Sequence, residues 1–286
     1  MVPILLLYAS LVNDVRTSIA HHDLAGADRI VAAYQAQAGT TPELAAAVSW
    51  LARAALASHD FAQADRYATQ SRALSDSLLR TRKLDADAWL PTAVGASIEV
   101  HAQALAGQGE RSQAVAWLRT QVSLFQGTSI AERIQKNLNL LSLEGKPAPP
   151  LADGPPLSGH PVLLFFWAHW CPDCKAEVPV LADLLHTYES RGLVLIGPTR
   201  LYGYVAGGEE APPVVERQYV ERVRQQYYGA LPSMHVVINA ANFQAYGAST
   251  TPTLVLVDAK GIVRCYHPGA MGKQELVQQI ESLLPH

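Results

Sequence analysis

The pattern of apolar and polar positions changes once along the chain, near residue 144. From residue 21 to 143, Ala, Leu, Gln and Arg recur with few β-branched runs, which favours helix at nearly every position. This pattern predicts six helices, over residues 23–38, 43–58, 61–79, 85–107, 111–125 and 129–143. Thr41 followed by Pro42 is typical of an N-cap with proline at the first helical position.

The second half alternates strand and helix patterns. It opens with the proline-rich segment EGKPAPPLADGPPLSGH, which cannot continue a helix and marks the boundary. A hairpin turning at residues 259–261 completes the pattern of an α/β unit with a mixed sheet. In chain order the pattern predicts a strand at 162–167, a helix at 171–189, a strand at 193–196, a long insertion, strands at 254–257 and 262–266, and a helix at 273–283.

The chain therefore divides into an all-α helical-hairpin domain at 21–143 and an α/β domain at 144–286. Residues 1–20 precede both domains. The opening stretch MVPILLLYASLV is shorter than the ~20 residues that cross a bilayer. No Lys or Arg comes before Arg16, so the charged region of a signal peptide is missing. The stretch is either a leader with an upstream start or the first packed helix, and no integral membrane span is expected.

One octet recurs in the helical half. HDLAGADR at residues 22–29 returns as HDFAQADR at 59–66, with a weaker echo, GERSQAVA, from Gly109. Ala27, Ala64 and Ala114 occupy positions where paired helices need a small side chain to approach closely. The half resembles a degenerate tetratricopeptide domain of about three helix pairs, and the alternative is a generic helical bundle. The resemblance implies that this domain binds a protein partner.

Composition excludes several functions. The net charge of −3 and the pI near 6.4 provide no basic field for nucleic acid. Three cysteines are too few for a disulfide-stapled scaffold. The segment FFWAHWCPDCKAEVP places two of them, Cys171 and Cys174, two residues apart between a strand and a helix.

A redox dithiol needs its attacking sulfur as a thiolate, and unpaired N–H groups at a helix N-terminus stabilise that anion. Pro172 suits the first helical position, which would leave Cys171 at the exposed helix end and Cys174 one turn further in. We therefore expect Cys171 to attack and the more buried Cys174 to resolve the mixed disulfide. Cys265 lies on a predicted strand and is expected to be a buried small hydrophobe.

A structural zinc site is the alternative for the pair, but it usually takes four ligands as two pairs. The chain has one CxxC, and His160, His169 and Asp173 do not complete such a set. No metal and no cofactor beyond the Cys171–Cys174 couple is expected.

The segment VLLFFWAHWCPDCKAEVP resembles the active-site strand and helix of thioredoxin-fold proteins, in particular the TlpA/ResA-like thiol-disulfide reductases. Pro179 matches the proline that kinks the active-site helix in that family. GKPAPP resembles the family's entry segment, and TTPTLVLVDAKGIV resembles its cis-proline loop, strand and hairpin. The resemblance covers residues 145–285, half of the chain.

The resemblance implies a cis Thr251–Pro252 bond beside the cysteines, with the Thr251 backbone free to pair with an extended substrate. Trp170, Pro172, Thr251 and Pro252 would shape the contact surface. Phe165 stands where general thioredoxins carry a buried Asp, whereas Glu177 matches a glutamate of the TlpA/ResA group. That carboxylate would exchange a proton with the resolving thiol. Its negative charge, with that of Asp173, would oppose thiolate formation and so stabilise the disulfide, which favours a reducing role. The alternative is an ordinary solvated or i,i+4-paired glutamate.

The implied function is reduction of protein disulfides by a periplasmic or extracytoplasmic enzyme that an upstream thiol donor recharges. The insertion at 197–248 departs from the family. It carries an acidic loop, a predicted helix at 214–228 and five tyrosines that we expect to pack under the loop, so substrate choice stays open. A disulfide oxidase or isomerase and a non-catalytic scaffold are the alternatives. A peroxiredoxin would need a hydroxyl residue where Ala168 stands.

Overall fold

A computed structural model describes residues 10–284 of the protein. Contacts divide the chain into two compact units, the first ending at Ile134 and the second beginning at Gln135. Residues 1–9, with most of the apolar opening stretch, lie outside the described residues. The functional domains at 21–143 and 144–286 stay a prediction.

Within residues 10–134, the regular elements of the first unit are all helices. α1 and α2 form the first pair, and each helix as far as α6 contacts the next one along the chain. α3 also contacts α1 and α5. The helices are α1 Leu11–Ala20, α2 Leu24–Ala38, α3 Pro42–Ala57, α4 Phe61–Leu79, α5 Trp89–Gly107, α6 Arg111–Leu124 and α7 Ala131–Ser142, the last of which crosses into the second unit.

Small side chains let these helices approach closely. Ala27, Ala64 and Ala114 are fully buried, as the octet repeat predicts, although the finer tetratricopeptide assignment stays a prediction. Thr41 caps α3 by accepting the Leu44 N–H, as predicted. The predicted helix at 85–107 starts too early, because the Asp87 carboxylate accepts the first N–H groups of α5 and ends a separate 3₁₀ turn before it.

The second unit is a five-stranded mixed sheet flanked by helices. Its strands lie in the order β3-β2-β1-β4-β5. β1, β2 and β3 run parallel to one another, β4 is antiparallel to β1, and β5 is antiparallel to β4. The elements are β1 Val162–Phe166, α8 Pro172–Ala176, α9 Val178–Tyr188, β2 Val194–Thr199, α10 Pro213–Tyr227, β3 His235–Ile238, α11 Ala240–Tyr246, β4 Thr253–Val257, β5 Val263–Pro268 and α12 Lys273–Glu281.

β1 and β4 are buried on both faces, which explains their continuous apolar sequence. Leu163 and Phe165 belong to one hydrophobic cluster and Leu164 and Phe166 to the other, so the sheet separates two cores. β1, the central strand of this sheet, ends at Phe166, and a short loop leads from it to Cys171.

Two predictions for this half need correction. Residues 197–248 contain the predicted helix as α10, but they also contain the end of β2, all of β3 and α11, which the sequence pattern did not predict. β2 continues through Pro198, whose carbonyl accepts the Trp167 N–H at 3.1 Å, and it pairs there with β3. The predicted helix at 171–189 is two helices that meet at Glu177, two residues before Pro179, whose ring and missing N–H disfavour a continuous helix.

Among the helices of residues 10–284, none combines the length and the apolar character that a bilayer crossing requires.

Candidate active site

The loop between β1 and α8 is anchored at its first residue. The Trp167 indole Nε1–H donates to the Gly197 carbonyl at 3.1 Å. The backbone carbonyl of Trp167 accepts from Thr199 Oγ1 at 2.8 Å. The Tyr228 ring packs against the same indole at a tilt of 45°, with the ring centroids 4.6 Å apart. The loop therefore leaves the sheet from a fixed point.

Cys171 and Cys174 form a disulfide at the N-terminus of α8, with their Cα atoms 5.3 Å apart. Cys171 is the N-cap, and the Cys174 N–H lies 3.0 Å from its Sγ. A helix-terminal N–H at that distance stabilises negative charge on the sulfur once the pair is reduced.

The expected exposure of Cys171 is wrong. Only 2% of its surface is accessible, and Cys174 is fully buried. Both cysteines are part of the hydrophobic cluster on one face of the sheet. A bulky disulfide cannot reach so covered a sulfur without movement of neighbouring side chains.

The loop before β4 faces the pair. The Thr251–Pro252 peptide is cis, the isomer that the resemblance implies, and the Thr251 carbonyl oxygen lies 3.4 Å from Cys171 Sγ. The Pro252 carbonyl accepts the Gly269 N–H at 2.8 Å, which fixes the far side of the loop to the end of β5. The backbone of Thr251 therefore lies against the reacting sulfur.

Glu177 lies in the core, at the junction of α8 and α9. It is 5% exposed, and its Oε1 has no hydrogen-bond partner among residues 10–284. Burial raises the pKa of Glu177, while a backbone hydrogen bond from Met271 and the nearby His267 act in the opposite direction. This placement excludes the alternative of an ordinary solvated surface glutamate.

The two other predicted contact residues lie at the surface. Trp170 is 46% exposed, and Pro172 is exposed at the start of α8. Cys265 is buried on β5, where burial raises the pKa of its thiol to about 11, as expected for a packed and inert cysteine. Within the described part of the chain, no cluster of three or more His, Cys, Asp or Glu side chains could hold a metal ion.

The sequence did not predict one buried pair at this site. His169 Nε2 lies 3.2 Å from Glu216 Oε1, and both side chains are 1% exposed. Burial lowers the pKa of His169, and the hydrogen bond to Glu216 opposes that shift. The available clue was that Glu216, Val220 and Val223 recur at helical spacing, which places the glutamate on the buried stripe of α10.

The insertion tyrosines differ in their packing. Tyr228 is fully buried, as predicted for this group. Tyr202, Tyr204 and Tyr219 surround the His169 ring edge-on, with centroid distances of 5.2–5.5 Å. For Tyr227 the expectation is wrong, because it is 43% exposed, with Lys175 Nζ 4.3 Å above its ring.

This fold, with a CxxC disulfide at a helix N-terminus facing a cis-proline loop, defines a thioredoxin-fold dithiol protein. A thioredoxin-like domain model matches residues 156–284. The thiol:disulfide interchange protein DsbE of Xylella fastidiosa is 31% identical over 156 residues, which are 50% of this chain and 70% of that protein. The thiol-disulfide oxidoreductase ResA of Geobacillus thermodenitrificans is 29% identical over 127 residues, 44% of this chain and 65% of that protein.

A thiol:disulfide interchange protein of the thioredoxin family from Chlorobium tepidum has a similar solved structure, with a TM-score of 0.39 and 23% identity. The match covers 50% of this chain and 98% of that one. The chain belongs to the thioredoxin-like thiol-disulfide oxidoreductases, the family that includes DsbE and ResA, and its redox group is the Cys171–Cys174 pair.

Proposed function

We propose that this protein reduces disulfides of other proteins by exchange with the Cys171–Cys174 dithiol. The observation that carries the proposal is the contact of Cys171 Sγ with two backbone groups, the Cys174 N–H at 3.0 Å and the Thr251 carbonyl at 3.4 Å. The first stabilises a thiolate, and the second lies where the backbone of an extended substrate would pair.

The exchange takes two steps. The Cys171 thiolate attacks one sulfur of the substrate disulfide, a mixed disulfide forms, and the departing substrate thiolate takes up a proton. Cys174 then loses its proton and attacks Cys171 Sγ, which breaks the mixed disulfide and releases the second substrate thiol. Two electrons pass from the dithiol to the substrate, and an external thiol donor returns them by the same chemistry in reverse.

Glu177 is the proposed proton carrier for Cys174. It lies three residues after Cys174, at the end of the same short helix, and its Oε1 has no partner among the described residues. A buried carboxyl with a raised pKa accepts a proton near neutral pH more readily than an exposed one. Trp170, Pro172, Thr251 and Pro252 are the proposed contact residues for the substrate.

The helical unit is the proposed docking domain for a protein partner, because its small buried residues let successive helices pack into an extended helical surface. We place the protein in the periplasm or another extracytoplasmic compartment, on the resemblance to the TlpA/ResA group. In such a compartment a protein donor would have to supply electrons to Cys171–Cys174.

The reduction potential of the pair tests the direction of transfer. The purified protein is equilibrated with glutathione or dithiothreitol buffers, and the dithiol fraction is read by thiol alkylation and mass. A reductant should lie near or below thioredoxin's value of about −270 mV. A value close to about −120 mV, typical of DsbA, would assign an oxidant or isomerase instead.

Replacement of Cys174 by Ser tests the order of attack. The variant should accumulate mixed disulfides through Cys171 when mixed with a protein disulfide, because the resolving thiol is gone. Cys171→Ser is the matched control and should trap none. Absence of any adduct with Cys174→Ser would support the scaffold alternative.

A further inference from the structure

Glu216 is a buried carboxylate that holds three N–H donors from two other segments. Its Oε1 accepts the Tyr202 N–H at 2.5 Å and its Oε2 accepts the Gly203 N–H at 2.8 Å. The third donor is the His169 ring, at 3.2 Å. Buried carboxylates are stable only when their oxygens are satisfied in this way.

These contacts join three parts of the second unit. Glu216 lies in the first turn of α10, Tyr202 and Gly203 follow β2, and His169 lies in the loop before α8. The segment between β2 and α10 is therefore attached to the active-site loop through one side chain. The edge-on contacts of Tyr202, Tyr204 and Tyr219 with His169 exclude water from this junction.

His169 is the only residue of the Ala168–Trp170 stretch with a buried polar side chain. On one side the loop is anchored at Trp167, and on the other the Cys171 N–H donates to the Ala168 carbonyl at 3.1 Å. Trp170, the neighbour of both His169 and Cys171, lies edge-on to Tyr202 with the ring centroids 5.5 Å apart. The position of His169 thus determines the path of the chain into Cys171 and the packing behind the exposed indole of Trp170.

We propose that Glu216 and His169 are positioning residues for thiol–disulfide exchange. They fix the loop before α8 against α10 and so hold Cys171 at the helix N-terminus with Trp170 beside it. Neither residue contacts the reacting sulfurs through its side chain. The inference rests on the proposed function and adds to it the residues through which α10 acts on the reaction.

The test measures the rate at which the reduced, full-length protein reacts with two disulfides, insulin and 5,5′-dithiobis(2-nitrobenzoate). His169→Phe keeps a ring among the tyrosines but removes the donor to Glu216, whereas His169→Gln keeps an N–H donor at similar reach. Since misplacement by about 1 Å can cost up to about 10²-fold, we expect His169→Phe to be about tenfold slower with both disulfides. His169→Gln should remain within about threefold of the wild type, a rescue that a role of ring packing alone would not produce.

A double-mutant cycle tests whether the two residues act together. Glu216→Gln should also be about tenfold slower, and the His169→Phe, Glu216→Gln double variant should be no slower than either single variant by more than about twofold. Glu221→Gln is the matched control, because Glu221 lies on the same helix in an exposed pair with Arg224 and should react like the wild type. If Glu216→Gln fails to fold, Glu216→Asp, which keeps the charge and withdraws the oxygens, takes its place.

Two results would overturn the proposal. The first is that His169→Phe and the Glu216 variant both react as fast as Glu221→Gln. The second is that the double variant is slowed by the product of the two single-variant effects, which would mean that the two residues act independently. A wild-type protein that reacts with neither disulfide would instead contradict the proposed function itself.

Discussion

At the residue scale, Glu177 and Cys171 show how burial determines chemistry. Glu177 is removed from water but keeps one oxygen without a partner in the described chain, and burial raises its pKa above that of an exposed glutamate. Cys171 is covered as well, yet a helix-terminal N–H contacts its sulfur. Burial thus raises the pKa of Glu177, whereas at Cys171 the helix-terminal N–H favours the thiolate that forms once the disulfide is reduced.

The raised pKa of Glu177 predicts how stability depends on pH. The folded protein holds the Glu177 proton more tightly than the unfolded chain does, so stability falls as pH rises from about 4.5 through the raised pKa and is constant above it. Glu177→Gln removes this loss. The variant should gain stability over the wild type between pH 4 and pH 8, measured by urea unfolding of the oxidised protein.

Glu189→Gln is the control for this measurement, because Glu189 is exposed at the end of the same helical region. Its stability curve should run parallel to that of the wild type. A Glu177→Gln curve that is also parallel would show that this carboxyl carries no folding-linked proton.

The sequence revealed the cysteine pair and Glu177 but not the Glu216–His169 pair. CxxC spacing, Pro172 and the strand before them are local features, and local features predict a helix N-terminus. The contact between His169 and Glu216 spans 47 residues and depends on how α10 packs, which no local pattern contains. The burial of Cys171 escaped prediction for the same reason, since its cover comes from distant residues.

At the element scale, side-chain caps define the starts of three helices in the first unit, α2, α3 and α4. Asp23, Thr41 and Asp60 each accept the N–H of the residue three positions later. An N-cap of this kind contributes about 1 kcal/mol because it satisfies a donor that the helix leaves open. These boundaries were predictable, since caps, proline and glycine are visible in sequence.

Thr41→Ala should therefore destabilise the protein by about 1 kcal/mol, read from urea unfolding followed by circular dichroism at 222 nm. Thr120→Ala is the matched control, because Thr120 is exposed inside α6 and its hydroxyl donates only to the Ala116 carbonyl. Alanine has the higher helix propensity, so the control should be neutral or slightly stabilising. Equal losses in both variants would mean that Thr41 does not cap α3.

Element boundaries were hardest to predict where a short element relies on its partners. β3 has four residues and only Val237 is fully buried, so its alternation is too brief to recognise. It forms because β2 offers a parallel edge, with Ile196 opposite His235. The strands that are buried on both faces were located within two residues, because a continuous apolar run is a strong pattern.

At the scale of the whole molecule, the second unit includes part of α7. Leu143 belongs to the hydrophobic cluster of Phe243 and Tyr246, and Asn139 Nδ2 donates to the Ala245 carbonyl. Gly247, at φ +59°, lies so close to α7 that a Cβ there would be 2.2 Å from the Lys136 backbone nitrogen. Residues 135–143 are therefore bound into the thioredoxin-like unit even though their sequence pattern continues the helical half.

These contacts predict how the chain can be divided. A fragment of residues 135–286 contains both cysteines, Glu177, the cis-proline loop and the Glu216–His169 pair, so it should fold alone and reduce 5,5′-dithiobis(2-nitrobenzoate) at the rate of the full chain. A fragment of residues 144–286 loses the buried Leu143 and should be less stable by at least about 2 kcal/mol in urea. In the longer fragment, Leu143→Ala should cost about 2–5 kcal/mol, while Leu140→Ala, at a position 38% exposed near the end of α7, should cost much less. Equal stability of the two fragments would place the true domain boundary at residue 144, because α7 would then contribute nothing to the reducing unit.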